Sequence, residues 1–482
     1  MTNTVSSKRW ILAAVGVGNL VSAIDGSVAN TVLPVIAAEF HASIGVIEWV
    51  LMAYLVAMTS LLLSAGRLGD VAGHRRVFLA GFATFVAASA ACGAAPTELV
   101  LIVFRAIQGS GAAMMSATGI VLVTQAFGPK ERGKSIGLIV GIVYFGLAVG
   151  PALGGLLAGA FGWRAVFYIN VPIGLAGLAL GLRILPKGTS SQQQATFDVL
   201  GAAMSALGLT SLLIGLSQGQ SWGWTSVPTL ASIAAAVILL TLFVLLELRA
   251  EAPMLDLRLF RNRLLSAAMG SSVIFYAGVF FPSLLLPFYL LQQRHFPVST
   301  AGLLLMVTPA AMMLLAPQAG KASDKLGSRL LSTAGVVFSA AGLVAVALLG
   351  PNSTIGQIVL AELILGLGSG IFSSPNISTI MGAVPRERQG TAAGIQAVAR
   401  NSGMVLGIAL AGAILSSRLA ALGGQAHFIE AYRDTLIAGA AFMLSGALLS
   451  ATRGPGPASR ARSTPARIPS PGPTRTASAG EG

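Results

Sequence analysis

Gly66-Arg-Leu-Gly-Asp70-Val-Ala-Gly73-His-Arg75 returns as Gly320-Lys-Ala-Ser-Asp324-Lys-Leu-Gly327-Ser-Arg329, both reading G-x-x-x-D-x-x-G-x-R at an offset of 254 residues. Each copy follows an apolar run long enough to cross a bilayer. Pro129-Lys-Glu131-Arg132 and Pro385-Arg-Glu387-Arg388 form a second pair at an offset of 256, and Pro34 with Pro287 a third at 253. Three agreements within a few residues mark an internal repeat. The two copies begin on the same side of the membrane, so the repeat is parallel, with its axis along the membrane normal.

Composition supports that frame. Of 482 residues, 55% are apolar and 10% charged, whereas a soluble domain carries about 25% charged residues. With a mean hydropathy of +0.81, this excludes a soluble enzyme and a disordered scaffold and leaves a many-span membrane protein. The net charge of +14 does not point to nucleic acid, because the basic residues come in small groups between apolar runs rather than on one face. Cys92 stands alone within an apolar run, and the four His residues (His41, His74, His295, His427) include no pair at ligand spacing. No cofactor or metal is expected.

Fourteen apolar runs reach spanning length. The first seven lie near 10–36, 44–66, 77–95, 98–127, 134–159, 164–184 and 197–217. The others lie near 226–247, 264–291, 299–319, 329–349, 356–381, 393–417 and 432–452. The first resembles a signal peptide in position, but its length and internal Asp25 read as an uncleaved helix. With a cytoplasmic N-terminus, 24 of the 30 Lys/Arg residues fall in inside segments and 4 in outside loops. The positive-inside rule then places both termini in the cytoplasm. Spans 1–6 and 9–14 are the two copies, and spans 7 and 8 an added hairpin. The expected domains are a six-helix bundle over 1–190, linker helices over 197–247, a second bundle over 257–452, and a basic cytoplasmic tail over 453–482. That tail is too poor in apolar residues to fold.

The inside loops invite a mechanical reading. Asp70 and Asp324 are expected to start tight turns with Gly73 and Gly327, followed by Arg75, Arg76 and Arg329. Such Asp/Arg sets can pair across the bundles or with helix ends and latch one conformer. Solvated topology loops would show the same charges.

These residues match the loop motif of the major facilitator superfamily. Further motifs resemble its fourteen-span drug:proton antiporters: Asp25-Gly-Ser-Val-Ala-Asn30-Thr-Val-Leu-Pro34 in span 1, and Leu101-Ile-Val-Phe-Arg105-Ala-Ile-Gln108-Gly109-Ser-Gly111 in span 4. Span 5 carries the spacing of the antiporter motif in Gly137, Gly146, Gly150, Pro151, Gly154 and Gly155. Trp163-Arg164 with Asn170-Val-Pro172-Ile-Gly174 is similar to the family's sixth span. The resemblance implies an exporter; the spacing alone shows no direction. Glycine and proline weaken helices, so their concentration in span 5 needs a reason, such as close helix contact or a bend at Pro151.

Ionisable residues inside spans are costly and usually functional. At a rise of about 1.5 Å per residue, Asp25 lies about 22 Å from the inner end of span 1 and Arg105 about 10 Å from the outer end of span 4. Their depths nearly coincide, so contact is allowed. Glu362 stands 257 residues after Arg105, and Gly366-x-Gly368 repeats Gly109-x-Gly111 at the same offset. Pseudo-symmetry then expects Glu362 on the same central cavity. A proton carrier must be an acid whose surroundings change during the cycle. Asp25 beside Arg105 fits that role, and Glu362 is a site for a cationic substrate or a second proton. Static interior ion pairs would need the same residues. Glu48, about one turn into span 2 at headgroup level, departs from the family's common Gln before this Trp. Arg400 lies in the cytoplasmic third of span 13, where gating or packing competes with substrate contact.

The expectation is therefore an all-α, fourteen-span antiporter, driven by the proton gradient, that exports amphiphilic or cationic drugs or antibiotics. It is expected in the bacterial cytoplasmic membrane as a monomer, with protons, substrate and lipid as partners. A dedicated metabolite exporter, an importer and a non-transporting receptor of the same fold are the alternatives.

Overall fold

The computed structural model describes residues 2–127, 132–186, 198–250, 257–384 and 389–451. The tail from 452 onward lies outside them, as do Pro129, Glu131, Pro385, Glu387 and Arg388 and the side chains of Arg132 and Asp324. Among the described residues, fourteen helices are long and apolar enough to cross a membrane. They are α1 (Lys8–Phe40), α2 (Ile44–Ala72), α3 (His74–Gly93), α4 (Glu98–Ala126), α5 (Gly141–Phe161), α6 (Ala165–Ile184) and α7 (Val199–Leu216). Then follow α8 (Val227–Arg249), α9 (Arg263–Gln293), α10 (Val298–Ser323), α11 (Ser328–Ala347), α12 (Ile355–Gly382), α13 (Ala392–Leu422) and α14 (Gln425–Ala451). The helix containing α5 begins earlier, at Arg132, and runs unbroken through Pro151.

The repeat extends to the helix ends. Thr97 caps α4 by accepting from the Val100 amide, and Thr354, 257 residues later, caps α12 in a capping box with Gln357. Such caps satisfy backbone donors that a helix N-terminus otherwise leaves open. Gly73 and Gly327 close α2 and α10 with φ of +95° and +88°, a backbone region that side chains rarely enter. The helix containing α10 runs on to Leu326, so the helices continue through Asp70 and Asp324. Each turn is thus the single glycine, not a turn started by the aspartate.

Packing repeats as the sequence does. In the first bundle, α4 packs on α2 and α3, α5 packs on α1, and α6 packs on α1 and α3. In the second, α12 packs on α10 and α11, α13 on α9, and α14 on α9 and α11, each pair shifted by eight helices. The bundles meet where α5 packs on α10 and where α13 packs on α2, contacts exchanged by the same two-fold relation, with α1 facing α9 between them. The hairpin α7–α8 breaks this symmetry. Helix α7 lies against both α2 and α13, where Val56, Leu213 and Val405 form one cluster. Ser64 donates to the Ala202 carbonyl at 3.4 Å, and Thr210 donates to Ser60 at 3.1 Å.

The core differs between the two ends of the molecule. At the end away from the Gly73 and Gly327 loops, Val32, Ile36, Val50 and Trp163 share one continuous cluster with Leu284, Leu304, Ile408 and Leu415 of the other bundle. Toward the loops, each bundle has its own core: one around Ile11, Phe78, Phe82 and Ile139, the other around Leu265, Met269, Ile380 and Ile395. The bundles are sealed together at one end and packed separately at the other.

Candidate functional site

Asp25 and Arg105 meet inside the first bundle, both fully buried. Arg105 Nη1 donates to Asp25 Oδ2 at 2.5 Å and to Gln108 Oε1 at 2.6 Å, and Nε donates to the Val50 carbonyl at 2.8 Å. The other carboxylate oxygen, Oδ1, accepts from Gln108 Nε2 at 2.8 Å and Asn170 Nδ2 at 2.7 Å. Gln108 also donates to Ser89 Oγ at 2.7 Å. The guanidinium lies over the Tyr54 ring at 4.4 Å and near Phe167 at 5.7 Å, a favourable placement for a cation on an aromatic face. Arg105 Nη2 has no hydrogen-bond partner. The node joins α1, α2, α3, α4 and α6. Both charges are compensated, the condition under which buried ions persist.

The glycines of α5 hold this node's backbone in place. A Cβ on Gly146 would meet Ala23 and the Leu20 carbonyl, one on Gly150 would collide with Ser27, and one on Gly154 would strike Val28. These three, four residues apart, form one stripe against the α1 segment that carries Asp25. Gly155 faces the other way, against Val298 and Gly302 of α10. Thr31 donates to the Pro151 carbonyl at 3.4 Å. Gly137 lies in the same helix, nearer the basic loops.

Glu362 occupies the repeat counterpart of Arg105. It is 3% exposed and enclosed within the second bundle. Thr308 on α10 donates to its backbone carbonyl at 2.8 Å. The repeat does carry positions: Thr308 stands 254 residues after Tyr54, as Glu362 answers Arg105. What it does not carry is the counter-charge, because Gly278 stands 253 residues after Asp25. Glu362 is thus buried without a counter-charge from the position that answers Asp25.

In the first loop, Asp70 pairs locally with His74 Nε2 at 3.1 Å and Arg67 at 3.8 Å. Arg75 donates from Nε to the Leu185 carbonyl and from Nη2 to the Leu182 carbonyl, both at 2.9 Å. It caps the C-terminus of α6, the helix-end role expected for such a residue. Arg76 and Arg329 are exposed. Gly66 lies within α2, and Gly320 within α10, where a Cβ would meet Ser374.

Gln108 and Asn170 were quoted in sequence motifs without a role and prove to be direct partners of Asp25. Gln108 stands three residues from Arg105, on the same helix face. Glu48, expected at headgroup level, is 4% exposed and lies against Gly412 of α13. Arg400 is half-buried, and its charge reaches Tyr54 and Tyr276; Tyr144 of α5 also reaches Tyr276 across the boundary.

Comparisons with known proteins agree with this architecture. The family model described as Major Facilitator Superfamily matches residues 15–408. The riboflavin transporter RibZ of Clostridioides difficile is 36% identical over 404 residues, 83% of this chain and 87% of that protein. The tetracenomycin C resistance and export protein of Streptomyces glaucescens is 34% identical over 412 residues, 85% of this chain and 76% of that one. A crystal structure of the peptide transporter POT with sulfate superposes with a TM-score of 0.65 at 16% identity, covering 91% of this chain and 93% of the other, a likeness of fold. The chain belongs to the Major Facilitator Superfamily, as a multi-pass membrane transporter.

Proposed function

We propose that the protein exports amphiphilic small molecules, drugs or antibiotics among them, in exchange for protons by alternating access. The observation that carries the reading is the asymmetry of the core: one shared cluster at one end, two separate cores at the other. With the basic loops in the cytoplasm, as the charge distribution predicts, this is a conformer closed outside and divided inside. The loading face is then open to cytoplasm and inner leaflet.

Within that cycle, Asp25 is the proton-coupling acid. Protonation would neutralise the partner of Arg105 and loosen a node that ties five helices together, biasing the bundle between two arrangements. In this conformer the carboxylate has no exposed surface, so proton exchange belongs to another stage of the cycle. Glu362, the second interior acid, carries a further proton or answers a cationic cargo. Tyr144 and Arg400, one from each bundle and both partly exposed, are the groups offered to the cargo near the boundary. Similarity to an antibiotic export protein supports the exporter reading.

A second reading, transport of one dedicated metabolite, is favoured by the similarity to a riboflavin transporter. Everted membrane vesicles separate the two. Acidifying the lumen should drive uptake of a lipophilic cationic dye if the protein is a polyspecific antiporter. Uptake of riboflavin alone would support the dedicated reading, and uptake indifferent to the gradient would overturn proton coupling.

A further inference from the structure

Glu48 stands at the joint between the short helix Ile44–Ile47 and the longer helix Trp49–Ala72 that together make α2. It is 4% exposed, and its enclosed Oε2 has no hydrogen-bond partner. The carboxylate lies across the boundary between the bundles. A Cβ built on Gly412 of α13 would meet it, with the carboxyl carbon at 2.9 Å and Oε1 at 3.2 Å. Ile47 and Val50 beside it in the chain, and Ile408, Ala409, Ala411 and Leu415 near Gly412 on α13, are all buried apolar residues of the sealed end.

Among the described residues, no charge of the surrounding elements is shown paired with it. On α1, Glu39 is taken by Trp163 at 2.6 Å and Arg164 at 2.5 Å, and His41 in the following turn is exposed. On α4, Arg105 is bound to Asp25 and Val50, and Glu98 lies in the first turn. On α13, Arg418 pairs with Asp434, and Arg400 donates to Asn401 at 3.3 Å. Arg67 and Asp70 lie at the far end of α2, His74, Arg75 and Arg76 at the far end of α3, and α7 brings only Asp198 from its own distant start. The contrast with Asp25, whose carboxylate accepts from three residues, is complete.

An isolated ionised carboxylate in such a seam costs far more than a neutral acid or amide of the same shape. Gly412 supplies the room, and any larger residue there would displace the carboxyl group. We propose that Glu48 is a proton-binding site of the transport cycle, and that the seam between α2 and α13 closes on the neutral acid and parts when the group ionises in outer water. This assignment rests on the proton-coupled reading above. It deepens it by placing at the outer closure a proton taken from outside, so that proton occupancy and closing of that face are one event.

The test is a distance measurement across the seam. Spin labels on Val46→Cys and Ala421→Cys, both exposed positions, report the separation of α2 and α13 in lipid nanodiscs as pH is varied. In an otherwise wild-type chain, the short distance should dominate at acidic pH and give way to a longer one as pH rises. Glu48→Gln should hold the short distance at every pH, a complete loss of the response, whereas Glu48→Asp should keep a response with a moved midpoint. If Glu48→Gln fails to insert, Glu48→Met asks the same question. A glutamine variant that opens like wild type, or a wild-type seam indifferent to pH, overturns the proposal. Proton-driven flux in vesicles is read separately. Gradient-independent flux beside a pH-responsive seam would remove the antiport reading and keep Glu48, and the reverse pattern would remove Glu48 alone.

Discussion

Neutralising Asp25 should destabilise the first bundle more than neutralising the whole pair. In Asp25→Asn, the amide still accepts from Gln108 or Asn170, but the cation of Arg105 is left with the Val50 carbonyl and Gln108 Oε1, in a site with no exposed surface. In Arg105→Gln, the carboxylate keeps two amide donors and loses its counter-charge. Breaking a buried pair from one side costs about 3–5 kcal/mol, because the remaining charge is uncompensated. The double substitution removes both charges and should cost no more than either single one, a coupling energy of about 3 kcal/mol or more. The assay is unfolding in mixed micelles, followed by tryptophan fluorescence, for wild type, both single variants and the double. Single effects that simply add would refute the reasoning, since each charge would then be compensated without the other.

Other perturbations probe different parts of the fold. Gly155→Leu places a side chain against Val298 and Gly302 where α5 meets α10; it should wedge the sealed end apart and raise the labelling of cysteines placed there. Gly150→Val should instead prevent α1 and α5 from approaching and lower the yield of folded protein, because the new side chain overlaps Ser27. Gly73→Ala imposes a side chain at φ +95° and should cost about 1–3 kcal/mol, read as a lowered unfolding midpoint. Gln108→Leu removes bonds to Asp25, Arg105 and Ser89 at once. It should impair transport in vesicles as strongly as Asp25→Asn, whereas transport at wild-type level would show that the pair alone holds the node.

The large features were legible because they are repeated or periodic. The G-x-x-x-D-x-x-G-x-R loops gave the parallel repeat, and apolar length gave the spans. Helical rise placed Asp25 and Arg105 at one depth, and the structure joins them. The role of α5's glycines also follows from sequence once α1 is known to lie beside it, since spacing of four makes a stripe. Gln108 escaped because an amide carries no charge to draw notice, although its spacing of three from Arg105 was a signal. Asn170 had only its position in an apolar run. For Glu362 the repeat supplies the helix position but not the partners: Tyr54 becomes Thr308 and Asp25 becomes Gly278. The burial of Glu48 was hidden for another reason. One turn into a span looks interfacial along the chain, and what buries it comes from Gly412 in the other copy.

The central claim, proton-coupled alternating access through the Asp25 node, is tested most directly by proton flux in proteoliposomes. Purified protein would be reconstituted with a pH-sensitive dye inside, and proton movement followed on adding a lipophilic cationic dye or riboflavin, for wild type and Asp25→Asn. The account predicts substrate-dependent proton movement opposite to the substrate in wild type, and its loss in Asp25→Asn with substrate binding retained. Substrate flux without proton movement in wild type, or undiminished coupling in Asp25→Asn, would contradict it.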